Sequence, residues 1–145
     1  IPDAAELGGS VRCFSDVVRE RVPALIERIA AGVAAAHGAR IELDYLRGYS
    51  PVVNDPAIAG VLRAVVAQAL APAQVHAMRP LPNSEDFSAF LRHAPGAYAF
   101  IGARNAAKGI VHPHHHPGFD FDEDALMHGV QLFANAPFAL NRLAA

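Results

Sequence analysis

Apolar residues recur along this chain with two different periods, and each change of period marks a new element. Residues 6–14 (ELGGSVRCF) alternate, with Val11 and Cys13 on one side and Arg12 and Phe14 on the other, and predict a strand. Ser15 and Asp16 follow as helix caps. Val18, Val22, Leu25, Ile26, Ile29 and Val33 then recur at helical spacing, with Arg19, Glu20, Arg21, Glu27 and Arg28 on the other positions. Pro23 lies inside that helix and predicts a kink, while His37-Gly38 supplies a stop. Residues 40–46 (RIELDYL) alternate Ile41, Leu43 and Tyr45 against Glu42 and Asp44, which predicts a half-buried strand. A strand–helix–strand unit of this size cannot stand alone, and predicts half of a sandwich whose other half lies upstream.

Gly48-Tyr49-Ser50-Pro51 interrupts the pattern and predicts a domain boundary. Beyond it, Asp55-Pro56 opens a helix carrying Ile58, Val61, Leu62, Val65, Val66 and Ala69 on one face. Pro72, Pro80 and Pro82 punctuate an extended piece around Val75–Met78. Asn83 or Ser84 is expected to cap a short helix through Leu91, with Glu85 and Asp86 in its first turn. Pro95-Gly96 turns the chain into residues 97–102 (AYAFIG), expected as a buried strand. Asp122, Glu123 and Asp124 start a last helix through about Phe133, with Leu126, Val130 and Phe133 on one face.

Composition narrows the function classes. A net charge of −2 gives no electrostatic basis for binding nucleic acid or an anionic membrane. The longest apolar run falls well short of the ~20 residues that cross a bilayer. One cysteine, Cys13, excludes an internal disulfide, reads as a small core residue, and fits a reducing, cytoplasmic compartment. No serine–histidine–acid arrangement and no glycine-rich phosphate loop stands out.

The candidate chemistry lies in the segment from His112 to Glu123, where four of the eight histidines fall within five consecutive positions. Neutral imidazole is the commonest protein ligand for zinc-like metals, and Pro113 and Pro117 stiffen the loop that carries these rings. Consecutive residues cannot all turn their rings to one ion, so one or two ligands is the practical limit. By composition alone, a solvated polar loop or an adventitious nickel-binding cluster accounts for the run equally well. Its place between a buried strand and a capped helix favours a functional loop held by a scaffold. His37, His76, His93 and His128 read as structural or surface residues.

The run His115-His116-Pro117-Gly118-Phe119-Asp120-Phe121-Asp122-Glu123 resembles the C-terminal signature of the zinc aminoacylase and carboxypeptidase-G superfamily, nearest its hippurate-hydrolase and auxin-conjugate-hydrolase branch. Other segments resemble it in the same order. They are Ile1-Pro2-Asp3-Ala4-Ala5-Glu6-Leu7 with Gly9-Ser10-Val11-Arg12, then Tyr49 to Pro51 with Asn54 and Asp55, then Met78 with Ser84 to Ser88, and Pro95 to Tyr98 with Ile101-Gly102.

The resemblance implies an α/β fold in two pieces. Residues 1–50 would be part of a lid or dimerisation domain with antiparallel strands and a helix, and residues 51–145 the C-terminal part of a catalytic α/β domain. It implies hydrolysis of N-acyl amino acids or related amides by metal-activated water, with two divalent ions, zinc, manganese, cobalt or nickel. His115, two residues before Pro117, would bind one ion, although His114 and the His112-Pro113 pair compete for the role. Arg12 would pair with the substrate carboxylate, or else is a surface arginine. Glu85-Asp86 is read as capping a helix and shaping the pocket wall, so no catalytic base is assigned in this chain. The remaining ligands and the base would come from a missing N-terminal half of the same enzyme, and the lid implies a possible homodimer. The isolated chain is then expected to be inactive. The rival reading is a truncated, non-catalytic relative acting as a His-rich metal-binding or interaction module.

Overall fold

A computed structural model describes residues 2–69 and 75–142. Pro72, expected to punctuate the chain, and Ile1 of the Ile-Pro pair lie outside the described residues, as does the side chain of Ala69. The chain forms two compact units, Ile1–Val52 with Arg79–His93, and Val53–Met78 with Ala94–Ala145.

In the first unit, α1 spans Asp16–His37. Ser15 caps it as expected, its hydroxyl accepting from the Val18 N–H at 3.3 Å. The helix ends where Gly38 takes a left-handed conformation (φ 61°) and the Ala39 N–H bonds to the Ala34 carbonyl. It runs through Pro23, which withholds one N–H from the helical ladder without ending it. Arg19 donates to the Gly48 carbonyl and Glu20 pairs with Arg47, so α1 holds the 47–48 segment by its polar side. A short helix, α2, spans Phe87–Leu91. It begins later than the Asn83 or Ser84 cap predicts: the Glu85 carboxylate accepts from the Phe87 N–H at 3.2 Å, and the Ser88 hydroxyl returns a bond to the Glu85 carbonyl. Glu85 thus has the capping role expected of it, and Ser88 is buried.

In the second unit, α3 spans Pro56–Ala69 and packs against α4, Asp124–Asn141. Asp55 starts α3, its Oδ1 accepting from the N–H groups of Ala57 and Ile58 at 2.9 and 3.0 Å, ahead of Pro56 at the first helical position. Removing this cap by Asp55→Ala is expected to cost about 1–2 kcal/mol in a thermal melt, and Asp55→Asn far less. Equal losses for the two variants would contradict the capping role. The helix α4 runs past the expected end near Phe133 because apolar positions continue at Leu132, Ala136 and Leu140, and Ala136 is buried. Pro137 is therefore accommodated inside it, as Pro23 is inside α1.

The antiparallel strands expected at 6–14 and 40–46, and the buried strand at 97–102, do not form among the described residues. These segments are non-helical and have no ladder partner; the one bridge is an isolated antiparallel pair, Asn105 with Ile110. Alternation marks which face of a strand is apolar, but the N–H and C=O groups of a strand are satisfied only by a neighbour. Without that neighbour the apolar faces stay uncovered, with Leu7 98% and Leu46 91% exposed and Phe100 and Ile101 also exposed. Residues 96–98 are instead held by side-chain bonds. Asn54 accepts from the Tyr98 N–H at 2.8 Å and donates to its carbonyl at 2.9 Å, while the Asp55 N–H bonds to the Gly96 carbonyl.

Among the described residues, the buried apolar side chains are Val65, Ala125 and Ala136. Large apolar residues of α1 (Val18, Ile29, Val33) and of α4 (Leu126, Val130, Phe133) remain exposed, far more uncovered apolar surface than a free-standing domain leaves. No helix among the described residues is long and apolar enough to cross a membrane.

Candidate metal-binding loop

The histidine loop leaves the second unit through a tight hairpin. Asn105 and Ile110 exchange backbone bonds at 3.0 and 2.9 Å around the single-turn 3-10 helix Ala106–Lys108. The Asn105 side chain caps that turn by accepting from the N–H groups of Ala107 and Lys108, and Gly109 closes it with φ 77°.

Two consecutive turns then shape the loop. The Pro113 carbonyl accepts from the His116 N–H at 3.2 Å, and the His116 carbonyl accepts from the Phe119 N–H at 2.9 Å. In the first turn His115 occupies the third place with φ 68°, the only non-glycine residue with positive φ among those described. A type II turn demands positive φ there, and glycine normally meets it. A side chain with a Cβ is held in this region at a cost of about 1–2 kcal/mol.

Ring contacts link the imidazoles of the loop to one another. His112 and His116 stack with centroids 3.9 Å apart and planes within 1°. His116 Nδ1 accepts from the Gly118 N–H at 3.0 Å. His114 packs edge-on against Phe119 with centroids 4.8 Å apart. Imidazole lone pairs lie in the ring plane, so parallel rings aim along parallel planes and His112 and His116 do not converge on one ion. The stack depends on Gly118: a Cβ there would lie 3.1 Å from His112 Cδ2 and 3.4 Å from His116 Nδ1. His115 is likewise exposed and makes no hydrogen bond or ion pair with the described residues; its ring meets His114 edge-on, with centroids 6.5 Å apart. Both its ring nitrogens are open. No group of three or more potential metal-ligating side chains gathers among the described residues. The chain therefore fits a metal as the donor of a single imidazole.

The loop is closed by Asp122. Its carboxylate accepts from Asn105 Nδ2 at 2.6 Å and from Lys108 Nζ at 2.6 Å, and its N–H donates to the Ala103 carbonyl at 2.8 Å. Lys108 also reaches Asp124 at 2.7 Å. The Asn105 amide, seconded by Lys108, holds the Asp122 carboxyl below its ordinary value, and the two carboxylates push the Lys108 amine above its own. The depressed Asp122 pKa gives an anchor that is fully present above the unfolded value of about 3.9 and is lost as pH falls through the lower folded value. Lys108 contributes below about 10.4 and is lost as pH rises through its raised value. The Asp122 carboxyl is expected to titrate below its unfolded value when followed by carbon-13 NMR; a midpoint at or above that value would contradict the anchor.

Sequence reasoning finds His115 and its proline flanks but not Asn105 or Lys108. Asn105 ahead of Ala-Ala-Lys-Gly carries a local capping signal, yet nothing in sequence links it to Asp122. Arg12 lies in the first unit, exposed and without an ion pair among the described residues. Its guanidinium is open to a ligand.

The peptidase family M20/M25/M40 model matches residues 4–138. The chain belongs to that family. Members of the M20 family are generally metal-dependent, which agrees with an open imidazole on a stiff loop. A thermostable carboxypeptidase of Saccharolobus solfataricus is 34% identical over 130 residues, 89% of this chain and 32% of that protein. An N-acetylcysteine deacetylase of Bacillus subtilis is 34% identical over 134 residues, 92% of this chain and 33% of its own length. The Arabidopsis thaliana IAA-amino acid hydrolase ILR1-like 4 is 30% identical over 139 residues, 93% of this chain and 32% of its own. The chain thus spans about a third of the length of these M20 relatives. No solved structure matches it.

Proposed function

We propose that this chain is the C-terminal part of a metal-dependent amidohydrolase that cleaves N-acyl amino acids or related amides. The observation that carries the reading is His115: an exposed imidazole with no hydrogen bond among the described residues, on a strained, positive-φ backbone, within a chain matched almost throughout by a hydrolase family. Strain of this kind collects at ligand and catalytic sites. The names of the relatives, a carboxypeptidase, a deacetylase and an amino-acid-conjugate hydrolase, share amide cleavage beside an amino acid.

In this reading His115 donates a ring nitrogen to one of two divalent ions, zinc, manganese, cobalt or nickel, and the other ligands and the base come from the N-terminal half of the same enzyme. When bound, such ions supply Lewis-acid polarisation of the amide and activation of water. The chain's own part is positional. The paired turns set the backbone of His115, and the parallel stacking of His112 on His116 keeps those two rings from converging on the ion. Arg12 presents a planar, always-charged fork to the substrate carboxylate. Residues 1–50 act as part of a lid domain that can also pair protomers, and residues 51–145 as part of the catalytic domain. The exposed faces of α1 and α4 are where the rest of the protein packs.

The test is hydrolysis of a panel of N-acyl amino acids by the full-length protein, with and without a chelator. Chelator-sensitive release of the amino acid is expected. Chelator-resistant hydrolysis, or none across the panel, would overturn the proposal.

A further inference from the structure

We infer that Asn105 is a positioning residue for His115, clasping both ends of the histidine loop at once; this rests on the reading of His115 as a metal ligand. The backbone of Asn105 exchanges both its bonds with Ile110, where the loop opens. Its Nδ2 donates to Asp122 at 2.6 Å, where the loop closes. Its Oδ1 is held by the N–H groups of Ala107 and Lys108 at 3.1 and 3.3 Å, which fixes the amide with its donor side toward Asp122. Lys108 takes the other Asp122 oxygen, and the Asp122 N–H bonds to Ala103.

Among the described residues, 111–121 hydrogen-bond only with one another. Their turns determine the loop's internal shape, but its direction relative to the second unit depends on where its two ends are fixed. Asn105 brings those ends to one residue. The Asn105 side chain, ten positions before His115, therefore joins the closing end of the loop to the residue whose backbone holds the opening end, and bears on where that ring points without touching the ion or the substrate.

The test uses Asn105→Ala, Asn105→Asp and the exchange Asn105→Asp/Asp122→Asn in the full-length protein, with His115→Ala alongside. The first two variants are expected to speed amide exchange at Ile110 and Asp122 in metal-free protein. They should weaken zinc binding by roughly 10- to 100-fold, as loss of a ligand-orienting partner does. Their kcat should fall while KM stays close to native, with the melting temperature lowered by no more than the loss of a turn cap costs. The exchanged pair restores a donor facing a carboxylate and is expected to recover zinc affinity, which a general loss of stability would not allow. Native zinc affinity and kcat in Asn105→Ala, with His115→Ala losing its metal, would overturn the clasp and leave the ligand assignment standing. Native metal content in His115→Ala would remove the ligand assignment and the clasp's role with it.

Discussion

Replacing His115 by alanine is expected to remove one equivalent of bound metal from the full-length protein and most of its turnover. The reason lies in the division of labour within the loop. His112 and His116 are stacked on each other, His116 Nδ1 is occupied by the Gly118 N–H, and His114 lies edge-on against Phe119. The stacked pair cannot turn both rings to one ion, and His114 would have to give up its Phe119 contact to take the place of His115. A polarising ion contributes several kcal/mol to transition-state stabilisation, so its loss lowers kcat on the order of a thousandfold. The melting temperature of metal-free protein should change little, since the exposed His115 side chain makes no hydrogen bond or ion pair with the described residues. Metal analysis and steady-state kinetics on the same preparation check this, and native metal content with native rate would refute the assignment.

Arg12→Ala is expected to have the second largest effect, on a different constant. Loss of a charge-assisted bond to a substrate carboxylate costs about 1.5–3 kcal/mol, a rise in KM of roughly 10- to 150-fold. Arg12 is exposed and has no ion pair among the described residues, so its removal leaves no stranded partner and should not perturb folding. Substrates whose carboxylate is converted to an amide should lose the distinction between native and variant enzyme. An unchanged KM for carboxylate-bearing substrates would return Arg12 to the role of a surface arginine.

The helices were legible because their signals are local. Ser15, Gly38 and Asp55 act within three or four residues of themselves, and the capping bonds form where the residue types predict. The short helix after Glu85 and the far end of α4 were misjudged by a few residues, since Ser84 and Glu85 both can cap and the packing of α4 on α3 overrides Pro137. Strands are the opposite case. The alternation at 6–14 and 40–46 is clear, yet a ladder requires a second segment in register, and neither segment pairs among the described residues.

The site divides in the same way. The proline-flanked histidine run and the family signature in it can be read directly, and so can the limit of one or two ligands. How the rings are arranged depends on the 3.9 Å stack of His112 on His116 and the contacts of His114 with Phe119 and His115, which no residue type announces. The bond from Asn105 to Asp122 spans 17 positions and joins two residue types common in loops, so no local pattern announces it.

The most direct measurement is anomalous diffraction from crystals of the full-length protein loaded with zinc, with data collected on both sides of the zinc edge. A ring nitrogen of His115 is predicted at about 2.0–2.1 Å from one of two neighbouring anomalous peaks. A peak ligated by His114 or His112, with the His115 ring turned to solvent, would contradict it.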